Sequence, residues 1–217
     1  MEASRPRGRP RTFDRQQALQ VATELFWRYG YDGTSIADLT QMMGVTPPTL
    51  YAAFGSKEQL YREALLDYIR SNGVLVERVV HNGEPIYSLI ANYLYRSAEA
   101  YTDPAHPPGC MLQLAALTCA AENEAAHKTG VELRQEAFQL LVASLEWAKE
   151  REELPPETNV FALARMFMAL LQGMSIQAVD GASTEELKEM VTAALAAWPG
   201  KRPNETQNTI HHRDTEF

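Results

Sequence analysis

Ser35-Ile36-Ala37-Asp38-Leu39, Met43-Gly44-Val45-Thr46-Pro47-Pro48-Thr49-Leu50-Tyr51 and Phe54-Gly55-Ser56-Lys57 decide how this 217-residue chain folds. Ser35 is a helix cap, and Asp38 three residues on completes a capping box at the positive helix end. Ile36, Ala37, Leu39 and Thr40 supply the packed side of that short helix, and Gly44 supplies the tight or left-handed turn that ends it. Thr46 then caps a second helix whose first position is Pro47, where a missing N–H costs nothing. Leu50 and Phe54, four apart, point back to a small core. Ser56 caps a third helix, with Gln59 at the box position. Two short helices around a Gly turn, braced by a third, are the layout of a helix-turn-helix, in which one helix braces the DNA backbone and the next enters the major groove.

Working outward, Asp14 caps a first helix that carries Ala18, Leu19, Ala22, Leu25, Phe26 and Tyr29 on one face and ends at Gly30. The helix opened by Ser56 is expected to run from Lys57 to about residue 80, linking a small head to a larger body. Asn82-Gly83-Glu84-Pro85 is a turn, and a fifth helix follows to about Tyr101. Asp103-Pro104-Ala105-His106-Pro107-Pro108-Gly109 reads as a loop. Helix 6 is expected from Cys110 to about Ala121, helix 7 from Glu124 to Arg151, helix 8 from Thr158 to about Asp180 and helix 9 from Ser183 or Thr184 to Trp198. The expectation is an all-α protein of about nine helices. Its division is a basic disordered arm (1–12), a helix-turn-helix head (13–60), a larger helical body (61–200) and a disordered tail (201–217).

Hydrophobic residues at 45% and charged residues at 22% describe a globular chain. No apolar N-terminal segment reads as a signal peptide, and the apolar runs from Met111 and from Val160 are interrupted by Gln113 and Arg165. A soluble, cytoplasmic protein with no membrane partner is expected. The net charge of −8 is divided unevenly. Residues 1–62 carry 8 Lys and Arg against 6 Asp and Glu, whereas residues 63–217 carry 12 against 22. An acidic body with a basic end suits a protein that meets DNA at one end only. In Arg7-Gly8-Arg9-Pro10-Arg11 the Gly and Pro keep the backbone slim and extended, so that Arg7, Arg9 and Arg11 can enter a narrow minor groove.

Ala22, Leu25, Phe26, Gly30, Tyr31, Thr34, Ser35, Ile36, Ala37, Gly44, Val45, Leu50, Tyr51, Phe54, Ser56, Lys57 and Leu60 stand at spacings that resemble the DNA-binding domain of the TetR/AcrR family of bacterial transcriptional regulators. The resemblance implies double-stranded operator DNA as partner, and at the matching positions it implies contacts from Thr49, Tyr51 and Lys57. Lys57 and the Tyr51 hydroxyl would hold phosphates, as would Thr34 and Ser35 at the start of the second helix. Thr46, Pro47, Pro48, Thr49 and Ala52 would face the groove. The recognition helix carries no Arg, Asn or Gln for bidentate base contacts, so readout leans on the arm and on DNA shape.

Helix 8 (Phe161, Leu163, Met166, Phe167, Met168, Leu170, Leu171, Met174, Ile176) leaves almost no polar face, so burial on all sides is expected. Helix 9 repeats Leu187, Met190, Val191, Ala194, Leu195 and Trp198, and a partner subunit is the natural cover. The resemblance implies a homodimer in which helices 8 and 9 of two chains form a four-helix interface. It also implies an unknown small-molecule effector enclosed by helices 4 to 8 that shifts helix 4 and spreads the heads. Tyr93, Met111, Trp147, Phe167, Met168 and Gln172 are the candidate lining.

Cys110 follows Pro107-Pro108-Gly109 at a helix start, where an exposed thiol would be activated. A Gly-Cys there resembles redox- or electrophile-sensing members of the family, which makes a repressor acting through Cys110 the alternative. Cys119 reads as a core residue. His81, His106, His127 and the cysteines show no metal spacing, no phosphate loop or nucleophile elbow is present, and neither cofactor, metal nor catalysis is expected. Asn204-Glu205-Thr206 matches a glycosylation sequon and reads as accidental in a cytosolic tail. An architectural DNA-binding protein without a ligand fits the acidic body poorly.

Overall fold

The computed structural model describes residues 13–72, 84–115, 117 and 120–202. Among them are nine α-helices: α1 (Arg15–Tyr29), α2 (Ile36–Met43), α3 (Pro47–Phe54), α4 (Lys57–Asn72), α5 (Ile86–Tyr101), α6 (Met111–Leu114), α7 (Glu124–Glu150), α8 (Val160–Val179) and α9 (Thr184–Ala196). A short 3-10 turn, Ala121–Asn123, precedes α7. The expected continuation of α4 to residue 80, the arm, the role of Cys119 and the tail beyond residue 202 lie outside the described residues. Lys201 and Arg202 are held to the body: the Lys201 N–H donates to Glu153 O, and an Arg202 Nη2 donates to Ala196 O at 3.0 Å.

The head is built around α1 and α4. Phe26 stacks on Tyr31 and meets the edge of Tyr61, with Leu19, Ala22, Leu39, Leu50, Phe54, Leu60 and Leu65 buried around them. Arg15 ties the two helices together: its guanidinium meets the Glu63 carboxylate at 2.7 Å and donates to Ala53 O at 3.2 Å over the Phe54 ring. Beyond the head, α4 packs on α6 and α7, so one helix carries head and body contacts.

The body sets α8 against α5, α6, α7 and α9. Two boundaries differ from expectation. Helix 6 is a single turn because the Arg134 guanidinium, from α7, takes the carbonyls of Leu112 and Ala115 at 3.0 and 2.8 Å. Gly130 permits that approach, since a Cβ there would meet Ala115 O at 2.8 Å. Helix 8 begins at Val160 rather than Thr158, capped by the Asn159 carboxamide, which accepts from the Ala162 N–H. Ser183 and Glu186 form the capping box of α9, and Trp198 lies just beyond its end, buried.

Burial of α8 on all sides does not hold for the single chain. Leu163, Phe167, Leu171 and Met174 face the body, but Phe161, Met166, Ile176 and Val179 stand exposed on the other face. At 20 residues α8 is also longer than the interrupted run suggested, long and apolar enough to span a bilayer by length and composition alone. Its inner face is spent on the body, which is the pattern of a core helix with an open apolar flank.

Candidate nucleic-acid interface

The turn between α2 and α3 is fixed from both sides. Ser35 Oγ accepts from the Asp38 N–H at 3.1 Å while the Asp38 carboxylate accepts from the Ser35 N–H at 2.9 Å. That box holds the Asp38 carboxyl below its usual range, chiefly through the Ser35 hydroxyl. Gly44 takes the left-handed conformation, φ 67° and ψ 34°, and its N–H returns to the end of α2. Thr46 occupies the cap position of α3, but its hydroxyl bonds the Thr49 hydroxyl at 3.0 Å instead of a backbone N–H. Pro47 at the first helical position needs no such partner.

These constraints give α3 two unlike sides. Leu50 and Phe54 are sunk in the head core, while Thr46, Pro47, Pro48, Tyr51 and Ala52 are exposed and Thr49 is half-exposed. Tyr51 is 46% exposed and Met42, at the end of α2, 63%. Gln41, at the end of α2, is exposed as well.

Lys57 opens α4, behind a capping box in which the Ser56 N–H donates to Gln59 Oε1 and the Gln59 N–H to Ser56 Oγ. Its Nζ rests 4.1 Å from the centroid of the Tyr31 ring. Burial against that ring lowers the lysine pKa, and Asp32 and Glu58 pull it back. The Tyr31 hydroxyl donates to Glu58 Oε1 at 2.8 Å; burial and this carboxylate raise the phenol pKa.

Thr34 does not belong to the candidate surface. It is 1% exposed, and its hydroxyl donates to Gly30 O at 2.8 Å and Leu25 O at 3.2 Å, which locks the α1–α2 turn. Ser35 is exposed, with its hydroxyl engaged in the cap. Arg7, Arg9 and Arg11 lie outside the described residues. Asp32, unremarked in the sequence, accepts from the Ala120 N–H at 2.9 Å and the Asn123 amide at 2.6 Å, joining the head to the start of α7. No local pattern could announce a partner 88 residues away.

The candidate effector residues of the body are not one constellation. Tyr93, Cys110 and Met111 gather with Tyr68 and Tyr101, whose phenol pKa values rise through burial and the neighbouring Cys110. Phe167 instead tilts against Trp198, with ring centroids 6.0 Å apart. Trp147 lies under the Arg151 guanidinium at the end of α7. Met168 is buried and Gln172 half-buried on α8. Cys110 is 8% exposed and precedes a helix of only 4 residues, so the exposed, helix-activated thiol expected there is not what the fold provides. Its N–H donates to Ser175 Oγ at 2.8 Å, pinning it to α8. Among the described residues no cluster of His, Cys, Asp and Glu could hold a metal ion.

A two-faced α3 beside the cationic start of α4, held by α1, α2 and α4, is the arrangement of a helix-turn-helix DNA-binding regulator. Residues 18–64 match the family described as "Bacterial regulatory proteins, tetR family". The chain is 36% identical over 194 residues to the HTH-type transcriptional repressor ComR of Escherichia coli (strain K12), covering 89% of this chain and 92% of ComR. It is 28% identical over 193 residues to the repressor BdcR of the same organism, covering 89% of this chain and 92% of BdcR. A cysteine mutant of the TetR-family regulator CifR, solved on 26-bp operator DNA, superposes with a TM-score of 0.83 at 38% identity, covering 88% of this chain and 100% of CifR. The chain belongs to the TetR family of transcriptional regulators.

Proposed function

We propose that this protein is a cytoplasmic, non-enzymatic, homodimeric repressor that holds a palindromic operator through α3 of each subunit and releases it when a small-molecule effector occupies the body. The observation that carries the reading is the exposed face of α3. Thr46, Pro47, Pro48, Thr49 and Ala52 meet the groove, Tyr51 and Lys57 grip the flanking phosphates, and Ser35 lies at the edge of the contact. Lys57 would leave the Tyr31 ring for a phosphate, exchanging a cation–π contact for a charge-assisted one. Arg7, Arg9 and Arg11 supply the minor-groove contacts that α3 lacks. The operator complex of CifR and the repressor names of ComR and BdcR support this reading.

Phe161, Met166, Ile176 and Val179 on α8, with α9 beside them, form the surface that a second subunit covers. The effector would lie in the body between residues 61 and 200, reached by Tyr93, Met111, Met168 and Gln172. A fluorescence-anisotropy titration of labelled operator with purified dimer tests the reading. Tyr51→Ala should weaken binding, and an effector found by thermal-shift screening should release the DNA. A compound that binds yet leaves operator affinity unchanged would count against induction, since release requires differential affinity for the two states.

The alternative reading, in which Cys110 is modified by an oxidant or electrophile, is disfavoured by the fold, because the thiol is 8% exposed and packed beside Tyr68, Tyr93 and Tyr101. A Cys110→Ser repressor that still answers the same electrophiles would remove it.

A further inference from the structure

We propose that the cleft between α1, α4 and the loop before α6 is a binding site for a compact organic cation, an alkyl- or arylammonium. The cleft has a volume of about 250 Å³ and is lined by Gln20, Glu24 and Trp27 from α1, Asp67 and Tyr68 from α4, and His106 from the loop. That size falls slightly below the range for drug-sized ligands and suits a small amine.

Two features set the charge of the ligand. Glu24 and Asp67 contribute carboxylates, and none of the described lining residues is a lysine or arginine. Arg28 and Arg70 pair with these carboxylates at 3.2 and 3.3 Å, with the Arg28 side chain half in solvent and that of Arg70 mostly so. Pairs of that kind are weak and readily exchanged. The Asp67 side chain is only 15% exposed, and among the described residues its side-chain partners, Gln16 and Arg70, both meet Oδ1, so that Oδ2 is the oxygen a ligand N–H would reach.

The remaining walls are aromatic. His106 stacks on Trp27 with centroids 4.5 Å apart, and Tyr68 meets Trp27 edge to face at 4.8 Å. Carboxylates beside aromatic faces are the chemistry that recognises ammonium groups, through ion pairing and ring quadrupoles together. An anion would meet two carboxylates here, and a neutral ligand would leave them to Arg28 and Arg70 without gaining an ion pair of its own. Because α1 belongs to the head and residues 105–107 to the body, a ligand in this cleft would bridge the two.

The test is an NMR titration of full-length protein labelled at the indole nitrogens of its 3 tryptophans, Trp27, Trp147 and Trp198. The probes are benzylammonium and its neutral counterpart benzyl alcohol. Benzylammonium should shift the Trp27 indole resonance saturably and bind roughly tenfold more tightly than the alcohol. Asp67→Asn should abolish that preference while the Trp147 and Trp198 resonances stay in place; the exposed Glu24→Gln should reduce it. Equal affinity for the two probes, a shift confined to Trp147 or Trp198, or a preference untouched by both substitutions would overturn the proposal. Operator binding enters none of these readouts, so the repressor reading stands or falls separately.

Discussion

Replacing Lys57 by Ala removes the one lysine at the mouth of the proposed DNA surface, and its consequences can be worked through. The ammonium sits 4.1 Å from the Tyr31 ring centroid and is half-buried, so the folded head loses a cation–π contact worth up to about 1 kcal/mol. The head core does not depend on it: Phe26, Tyr31 and Tyr61 still pack together. On DNA the loss is one phosphate contact per subunit, and each contact contributes about 0.9 to the slope of log K against log salt. Two subunits give a slope flatter by about 1.8, and at physiological salt a loss of about 30-fold in affinity. Fluorescence anisotropy with operator and unrelated duplexes, repeated across a salt series, measures both quantities. The loss should be similar on every sequence. A loss confined to the operator would show that Lys57 reads bases, and an unchanged salt slope would show that it touches no phosphate.

Other substitutions probe the packing beneath that surface. Leu50 is fully buried behind α3, so Leu50→Ala should cost about 2–5 kcal/mol in urea denaturation and abolish operator binding; a near-neutral result would mean α3 is not anchored there. Ile176→Glu, on the exposed flank of α8, should convert dimer to monomer in light scattering while leaving helical circular dichroism intact; a persistent dimer would place the interface elsewhere. The Glu58 carboxyl pKa is lowered, chiefly by Ser56 and further by the Tyr31 hydroxyl. A depressed acid stabilises the fold above its unfolded pKa of about 4.3, and that contribution disappears as pH falls through the folded value. Thermal melts from pH 6 to pH 3 should therefore show a smaller acid loss in Tyr31→Phe than in the parent protein; identical profiles would remove this hydrogen bond from the pH response.

The features legible in the sequence are those whose causes are local. Ser35 with Asp38 and Ser56 with Gln59 each satisfy helix-end N–H groups within three residues, and both boxes form as read; at α9, where the sequence left Ser183 and Thr184 as alternative caps, Ser183 takes the position and boxes with Glu186. Gly44 and Pro47 impose backbone conformations that no distant neighbour has to supply. Helix 6 is shorter than its apolar pattern suggests, and its carbonyls are taken by Arg134, 19 and 22 residues away. Thr34 resembles an exposed helix-entry hydroxyl until the Leu25 and Gly30 carbonyls turn it inward. Trp147 and Phe167 share apolar character with Tyr93 and Met111, but side-chain type cannot say which helix face meets which cluster. The cleft beside Trp27 joins α1, α4 and a loop, so it exists only once head and body have packed together.

The central claim is that two α3 helices read one operator together, and in vitro selection from a random duplex library by purified dimer tests it most directly. The recovered duplexes should carry an inverted repeat whose half-sites lie about 10 base pairs apart centre to centre, or a small multiple of that spacing. Ile176→Glu should fail to enrich the repeat. Enrichment of a single isolated half-site with equal affinity for monomer and dimer, or no enrichment from an otherwise folded protein, would contradict it.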